Sequence, residues 1–322
     1  MTEKIMIIGE MNKGKICSFT LECIAAAETI ADDAEIVVVL YGEVKAASIV
    51  EELTYYHVDK VIWVKEEPGA FTEEAYGQCI LAILQKEKPS KIITSQTDFG
   101  KNIAPYISEV TAIPLISNVK DIKKEVHSFL VTRSIFSGKL DEIIRLETDV
   151  FIVAIKPNSW DMPVKRDRKA IAVEEYVMTD TKPVFSVVKV KKEQENTIDL
   201  LDAKVIVAGG RGIKNKEGME LVKKLATTLG GTVGVSRGAV ELGLSDSSLQ
   251  IGQTGKAVAP DIYIACGISG AIQHIVGMNG AKVVIAINND PDAPIFQEAD
   301  YCIVGDVFQV VPLLIQQLED RE

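Results

Sequence analysis

The sequence lacks the features of several large functional classes. Only three of its 322 residues are histidine and only five are cysteine, and no two cysteines form a CxxC pair. Scattered cysteines without histidines at ligand spacing argue against a metal site and favour free thiols in a reducing compartment. No apolar run approaches the ~20 residues of a membrane-spanning helix. The N-terminal "MTEKIMIIGEMNKGK" has no signal-peptide pattern, so we expect no membrane insertion and a cytoplasmic location.

Positive charge is also in short supply. The chain has 35 lysine and arginine residues against 46 aspartate and glutamate residues, a formal net charge of -11. Because nucleic-acid-binding proteins need a basic surface, we expect no nucleic-acid partner. The composition is otherwise that of a globular protein, with 47% hydrophobic residues, and the length allows two domains that each bury a core.

Strand-like and helix-like runs alternate from the start of the chain. Nearly continuous apolar runs, which are typical of buried parallel strands, are "KIMIIG", "EIVVVLYG", "KVIWVK" and "KIITSQ". Segments with apolar residues at helical spacing lie between them: "SFTLECIAAAETIADD", "VKAASIVEELTYY" and "EEAYGQCILAILQKEK". This alternation predicts a doubly wound α/β sheet. After about Ile113 short strands follow one another, which predicts antiparallel strands added at the sheet edge.

A second α/β set follows a stretch where charge collects, Val187 to Ala203. Its strands are "KVIVAGG", "TVGVS", "DIYIACG", "KVVIAINND" and "YCIVGD", with helices from about Gly218 to Leu229 and from Ser269. We therefore predict two doubly wound parallel-sheet domains, at residues 1–190 and 204–322, with a linker at 191–203.

The strands of the second set end in polar and glycine residues. Ligands of open parallel sheets bind outside the carboxyl ends of the strands, which meet at one edge. The residues found there are Gly209, Gly210, Arg211, Gly212, Ser236, Arg237, Gly267, Ser269, Gly270, Asn288, Asn289, Asp290 and Asp306. The sequence therefore predicts a nucleotide-binding edge.

The turn at Ser269 and Gly270 has two interpretations. Ser269 is a good N-cap, and the next free amides would face a phosphate at the positive end of a helix dipole. The alternative is a capped helix without a ligand. His274, on the same helix, is either a hydrogen-bonded structural residue or part of the site.

The fingerprint of NAD-binding domains is incomplete. Gly210-x-Gly212 would need a third glycine where the chain has Asn215. The acidic residue expected to bind the ribose is replaced by the neighbourhood of Ser236 and Arg237. Since an arginine can accept a 2′-phosphate, NADP binding remains open.

Five segments together resemble the C-terminal domain of the electron-transfer flavoprotein alpha subunit. They are "VIVAGGRGIK", "TVGVSRGAVELG", "QIGQTGKAVAPDIYIACGISGAIQH", "VVIAINNDPDAPIFQEADYCIVGD" and "VFQVVPLL". The resemblance implies a Rossmann-like FAD-binding domain and a heterodimer with a beta subunit, contacted by the N-terminal domain. It also implies electron transfer between flavin dehydrogenases, such as acyl-CoA dehydrogenases, and a second redox partner. The chain would then be an electron carrier rather than an enzyme on its own.

The resemblance further implies which residues bind FAD. Arg211, Ser236 and Arg237 correspond to flavin-side or phosphate-side residues. The loop against the isoalloxazine ring corresponds to Gln250, Ile251, Gly252, Gln253 and Thr254. The phosphate turn and the histidine near the flavin correspond to Ser269, Gly270, Ala271, Ile272, Gln273 and His274. The adenosine end corresponds to Asn288, Asp306 and Val307. Glycines 252, 255, 267 and 270 are expected to let the backbone approach the cofactor.

Two rival functions remain open at this point: an NADP-binding oxidoreductase subunit and a non-redox nucleotide-binding structural subunit. Within the family, a simple carrier and part of a flavin-based electron-bifurcating complex both fit. Asn289 stands where the family often has lysine, so no role is assigned to it.

Overall fold

The fold comes from a computed structural model that describes residues 3–12, 14–42, 47–65, 72–136, 140–177, 200–201 and 203–320. The chain divides into two compact units, residues 1–191 (unit 1) and 192–322 (unit 2). Most of the predicted linker lies outside the described residues, so its boundaries stay a prediction.

Unit 1 has eleven described strands, and nine of them form one mixed sheet. Its strands are β1 Lys4–Ile8, β2 Met11–Asn12, β3 Lys15–Ile16, β4 Glu35–Gly42, β5 Lys60–Lys65, β6 Lys91–Ser95, β7 Leu115–Lys124, β8 Phe129–Ile135, β9 Leu140–Leu146, β10 Phe151–Ile155 and β11 Ala172–Val177. The sheet order is β11-β5-β4-β1-β6-β10-β7-β8-β9, while β2 and β3 form a separate antiparallel pair. The seven strands from β11 to β7 run parallel, and β8 and β9 complete an antiparallel edge.

Helices cover both faces of the unit 1 sheet. They are α1 Ser18–Glu28, α2 Ala47–Leu53, α3 Glu73–Glu87 and α4 Asp98–Thr111. Buried side chains of α1 and α2 pack with one set of alternate strand residues, and those of α3 and α4 pack with the other set. The predicted doubly wound arrangement is therefore confirmed.

The sequence pattern missed two features of this sheet. The antiparallel edge after Ile113 exists as β7 to β9, but β10 returns to lie parallel between β6 and β7. Helix α4 was not predicted, and it contains Pro105 in its interior. Where a late strand inserts depends on contacts across the sheet, which local periodicity does not report.

Glu10 follows β1 at the point where the strand order reverses between β1 and β6. Thr97, the N-cap of α4, accepts a hydrogen bond from the Gly100 amide (3.0 Å) and donates one to Glu10 Oε1 (2.5 Å). Burial raises the pKa of the Glu10 carboxyl to about 7, and the charge of Asp98 adds to the rise. The switch point of unit 1 therefore contains a carboxyl group of the chain itself.

Unit 2 is a five-stranded, all-parallel sheet. Its strands are β12 Val205–Gly209, β13 Thr232–Val235, β14 Ile262–Cys266, β15 Val283–Asn288 and β16 Tyr301–Val304. The order is β13-β12-β14-β15-β16. An isolated parallel bridge joins Val235 to Gln250 outside β13. Counting it as a rudimentary third strand gives the order 3-2-1-4-5-6, the order of dinucleotide-binding folds.

Unit 2 also has helices on both faces. They are α5 Lys216–Thr228, α6 Arg237–Glu241, α7 Ile272–Met278 and α8 Val307–Glu319, with single 3-10 turns at Arg211–Ile213, Ser247–Leu249 and Pro294–Gln297. The helices α5, α6 and α8 pack on one face, and α7 packs on the other. Among all the residues described, no helix has the length and apolar character needed to cross a membrane.

Candidate functional site

The carboxyl ends of β12 and β14 meet through glycines at the switch point of unit 2. The Gly210 amide donates to the Cys266 carbonyl (2.8 Å), and the Gly212 amide donates to the Gly267 carbonyl (2.9 Å). A Cβ on Gly212 would lie 2.7 Å from the Gly267 Cα, and Gly267 has a φ of +62°. Gly267 therefore allows close packing of the two loops, and its expected role in letting the backbone approach a cofactor stays a prediction.

Asn215 explains why the third glycine of the NAD fingerprint is absent. Its side chain caps α5 by accepting a hydrogen bond from the Gly218 amide (3.0 Å). A glycine at this position would lose that cap. The N-terminus of α5 is thus capped by the Asn215 side chain of the preceding loop.

Two exposed arginines lie on this edge and share one carboxylate. The Arg237 Nε is 2.9 Å from Glu241 Oε1, and the Arg211 Nη2 is 3.6 Å from Glu241 Oε2. Ser236 precedes α6, and its side chain makes no capping hydrogen bond. Sequence analysis missed Glu241, although the spacing of four residues from Arg237 on a helix is a recognisable signal.

Hydrogen bonds join the two ends of the loop from Gln250 to Thr254 to each other and join the loop to β13. Gln250 is buried and donates through Nε2 to the Thr254 hydroxyl (3.0 Å). The Ile251 amide donates to the Val235 carbonyl (2.9 Å). The side chains of Gln253 and Thr254 are exposed and face solvent.

The predicted N-cap role of Ser269 is wrong. Helix α7 begins at Ile272, and its N-cap is Ala271, which has no side chain able to cap. Gly270 has a φ of +88°, which turns the chain before the helix starts. The Ser269 carbonyl instead accepts a hydrogen bond from the Ile295 amide (3.0 Å), so the turn is held by a distant loop. Ser269, Ala271, Ile272 and Gln273 are exposed.

His274 is buried, and both ring nitrogens have partners. Nε2 is 2.9 Å from the Tyr263 hydroxyl, and Nδ1 is 3.1 Å from the Ile251 carbonyl. Burial lowers the pKa of His274 to about 4, so the ring is neutral at neutral pH. Sequence analysis missed Tyr263, although a tyrosine in a buried strand normally needs a hydrogen-bond partner for its hydroxyl.

Of the three residues assigned to the adenosine end, Asn288 and Asp306 already make side-chain hydrogen bonds within the chain. The buried Asn288 donates through Nδ2 to the Ile268 carbonyl (2.8 Å) and accepts from the Asp290 amide (3.0 Å). Asp306 caps α8 by accepting from the Phe308 amide (3.0 Å), and this bond, with Lys214 nearby, lowers the pKa of Asp306. Val307 is buried as the first residue of α8. An ionised carboxylate suits a hydroxyl donor such as a ribose rather than a phosphate.

No cluster of three or more histidine, cysteine, aspartate and glutamate side chains able to hold a metal ion occurs among the residues described.

Comparison with known proteins assigns both units to one family. The model described as "Electron transfer flavoprotein domain" matches residues 5–181, and "Electron transfer flavoprotein FAD-binding domain" matches residues 199–279. The electron transfer flavoprotein subunit alpha of Bacillus subtilis is 42% identical over 324 residues, which cover 99% of this chain and 98% of that protein. The chain belongs to the electron transfer flavoprotein alpha subunit family.

Other family members are similar over the same length. The alpha subunit of Thermoanaerobacterium thermosaccharolyticum is 34% identical, over 98% of this chain and 97% of that protein. "Protein FixB" of Clostridium saccharobutylicum is 35% identical, over 98% of this chain and 96% of that protein. FAD is therefore the cofactor of the flavoprotein family to which this chain belongs. The part of this chain that matches the FAD-binding domain includes the loops from Gly210 to His274.

The residues at the carboxyl edge fit an FAD molecule in their chemistry. Exposed guanidinium groups of Arg211 and Arg237 suit phosphate or electron-rich ring atoms, and the exposed Thr254 hydroxyl and Gln253 amide suit a flavin ring. The His274 ring would have to exchange one of its two protein partners to contact the cofactor.

Proposed function

We propose that this electron transfer flavoprotein alpha subunit binds FAD at the carboxyl edge of unit 2. The observation that carries the proposal is the convergence of polar loops from parallel strands on one edge, beside the switch point between β12 and β14. Ligands of open α/β sheets bind at this place. Bound FAD would supply the redox chemistry by taking up and releasing electrons at its isoalloxazine ring.

The chain's own residues would bind and orient the cofactor. Arg211 and Arg237 would supply positive charge, and the turn at Ser269 and Gly270 would supply backbone amides to the pyrophosphate. The loop of Gln250 to Thr254 would lie against the ring, with Thr254 as a hydroxyl donor. Asp306 would accept a hydrogen bond at the adenosine end. No side chain acts as nucleophile or general base in this proposal.

We further propose that the chain acts as a heterodimer with a beta subunit in the cytoplasm. The relatives are named subunit alpha, which supports a second subunit. The heterodimer would carry electrons between a flavin dehydrogenase, such as an acyl-CoA dehydrogenase, and a second redox partner. An edge of exposed loops leaves the ring open to solvent unless a partner covers it.

Expression of the full chain with and without a beta subunit tests this function. We expect the co-expressed pair to purify yellow with one FAD per heterodimer and to accept electrons from a flavin dehydrogenase. The chain alone should hold FAD weakly. A colourless complex that binds NADP would favour an oxidoreductase of another kind, and bound FAD that accepts no electrons would favour a structural role.

Removal of the Arg237 charge should make the flavin harder to reduce. A reduced flavin gathers negative charge, which a permanent cation stabilises in a partly desolvated site. With FAD saturating, we expect Arg237→Ala to lower the two-electron reduction potential by about 30 mV, a tenfold change in the equilibrium. The measurement is a redox titration. Glu241, 2.9 Å from Arg237, offsets part of its charge, so Glu241→Gln should shift the potential the opposite way.

Lys223→Ala is the matched control for Arg237→Ala. Lys223 is also an exposed cation paired with a glutamate on a helix, but it lies on α5 away from the carboxyl edge. Equal shifts in the two variants would mean a general charge effect, and no shift in Arg237→Ala would place the guanidinium away from the ring.

A further inference from the structure

A buried chain of two hydrogen bonds joins β14 to the loop of Gln250 to Thr254. It runs from the Tyr263 hydroxyl to His274 Nε2 (2.9 Å) and from His274 Nδ1 to the Ile251 carbonyl (3.1 Å). Tyr263 is 0% exposed and His274 is 7% exposed, so water does not compete for these groups. Both bonds therefore act in a low-dielectric interior, where an unmade bond is costly.

The direction of each hydrogen bond follows from the chemistry of the partners. A backbone carbonyl only accepts, so the proton on the neutral His274 ring lies on Nδ1 and is donated to Ile251. Nε2 is then an acceptor, and the Tyr263 hydroxyl must donate to it. The Ile251 carbonyl therefore sets the tautomer of the ring, and the Tyr263 hydroxyl, as the donor to Nε2, holds the ring in the orientation that points Nδ1 at that carbonyl.

The same region shows why the position of Ile251 matters. The Gln253 amide donates to the Gln273 carbonyl on α7 (2.7 Å), and a Cβ on Gly277 would lie 2.3 Å from the Gly252 amide nitrogen. The loop backbone therefore lies directly on α7. A small shift of Ile251 would move the whole loop, since the fit leaves no spare room.

We propose that Tyr263 is a positioning residue whose hydroxyl, by donating to Nε2, orients the Nδ1-protonated ring of His274 and thereby holds the loop of Gln250 to Thr254 against α7. Its consequence for FAD rests on the function proposed above, because that function puts the loop against the flavin ring. The tautomer and the loop position are properties of the chain itself.

Tyr263→Phe tests the proposal, because it removes the hydroxyl and keeps the buried ring. Tyr301→Phe is the control, since Tyr301 is a strand tyrosine of the same unit that is 63% exposed. The full chain, co-expressed with a beta subunit, is labelled with ¹⁵N-histidine and compared with and without FAD. This chain contributes three histidines to the sample, and the signal of His274 is assigned by its loss in His274→Gln.

In the parent we expect a proton on Nδ1 and none on Nε2 at neutral pH. In Tyr263→Phe we expect the Nε2 signal of His274 to move towards that of a ring nitrogen that accepts no hydrogen bond, and amide exchange of Gln253 to be faster by about tenfold. The FAD dissociation constant should rise by about tenfold as the loop loosens. Tyr301→Phe should leave all three unchanged.

Three results would overturn the proposal. They are a proton on Nε2 in the parent, unchanged His274 signals in Tyr263→Phe, and faster exchange spread evenly over unit 2 rather than concentrated at the loop of Gln250 to Thr254. The last would reduce Tyr263 to a packing residue. The parent spectrum decides the tautomer even if the variant does not fold. A parent that binds no FAD would instead contradict the proposed function and leave the tautomer test intact.

Discussion

Gly270→Ala is expected to lower the affinity for FAD by at least about tenfold, or about 1.4 kcal/mol. A Cβ at position 270 would lie 2.2 Å from the Ile295 amide nitrogen, and the φ of +88° is one that alanine rarely adopts. The turn must therefore move, which breaks the bond from Ile295 to the Ser269 carbonyl. The unfolding free energy of unit 2 should also fall, by about 2–4 kcal/mol. Isothermal titration of the apoprotein with FAD and denaturant unfolding measure the two effects.

Gly230→Ala separates backbone strain from displacement of the turn. Gly230 has a similar φ of +63°, but a Cβ there would meet nothing within 4 Å. It lies in the turn between α5 and β13, at the amino end of the strand. We expect a loss of about 1 kcal/mol of stability and unchanged FAD affinity. Equal affinity losses in the two variants would mean that the Ser269–Gly270 turn has no special place in FAD binding.

The stability of unit 1 should fall as the pH rises from about 4.5 to about 7. The pKa of Glu10 is about 7 in the folded chain, against 4.5 for an unperturbed glutamate, because its buried carboxyl is costly to ionise. Below about pH 4.5 the group is protonated in both states and contributes no difference. Above that pH the carboxyl ionises first in the unfolded chain, which lowers the free energy of unfolding of unit 1. This loss of stability levels off above the pKa of the folded chain. Its upper bound is about 3 kcal/mol.

Glu10→Gln should remove most of this pH dependence. The amide oxygen of glutamine still accepts the bond from Thr97, but it carries no charge. Between about pH 5 and about pH 8 the variant should therefore lose less stability than the parent. Both tryptophans, Trp63 and Trp160, belong to unit 1, so tryptophan fluorescence during urea unfolding follows this unit.

Glu109→Gln, at an exposed position of α4, is the control for the loss of one carboxylate. It should keep the pH profile of the parent. A profile for Glu10→Gln that matches the parent would show that another group titrates in this range.

The parallel strands could be predicted from the sequence because each is a local apolar run. β1, β4, β5 and β6 in unit 1 lie within two residues of the predicted segments, and so do the five strands of unit 2. Burial on both sheet faces requires this composition, so the pattern carries the information by itself. The family resemblance was equally available, because it rests on ordered motifs, and the comparisons confirm it.

Helix α4 shows where local patterns fail. Pro105 in its interior argues against a helix, yet the buried face of Phe99, Ile103 and Ile107 packs on the sheet. Packing of an amphipathic face outweighs the cost of one proline. The position of β10 between β6 and β7 was equally inaccessible, because strand pairing joins residues far apart in the chain.

The sequence by itself determined the fold class of this protein, the edge of the second sheet at which polar loops collect, and the family. Only the tertiary structure decided what each of those polar residues does. It placed Asn215 as a cap, gave His274 the partners Tyr263 and Ile251, and assigned the Ser269 carbonyl to Ile295. The physical reason is that a hydrogen bond depends on which groups meet in space, and these partners come from other strands and loops.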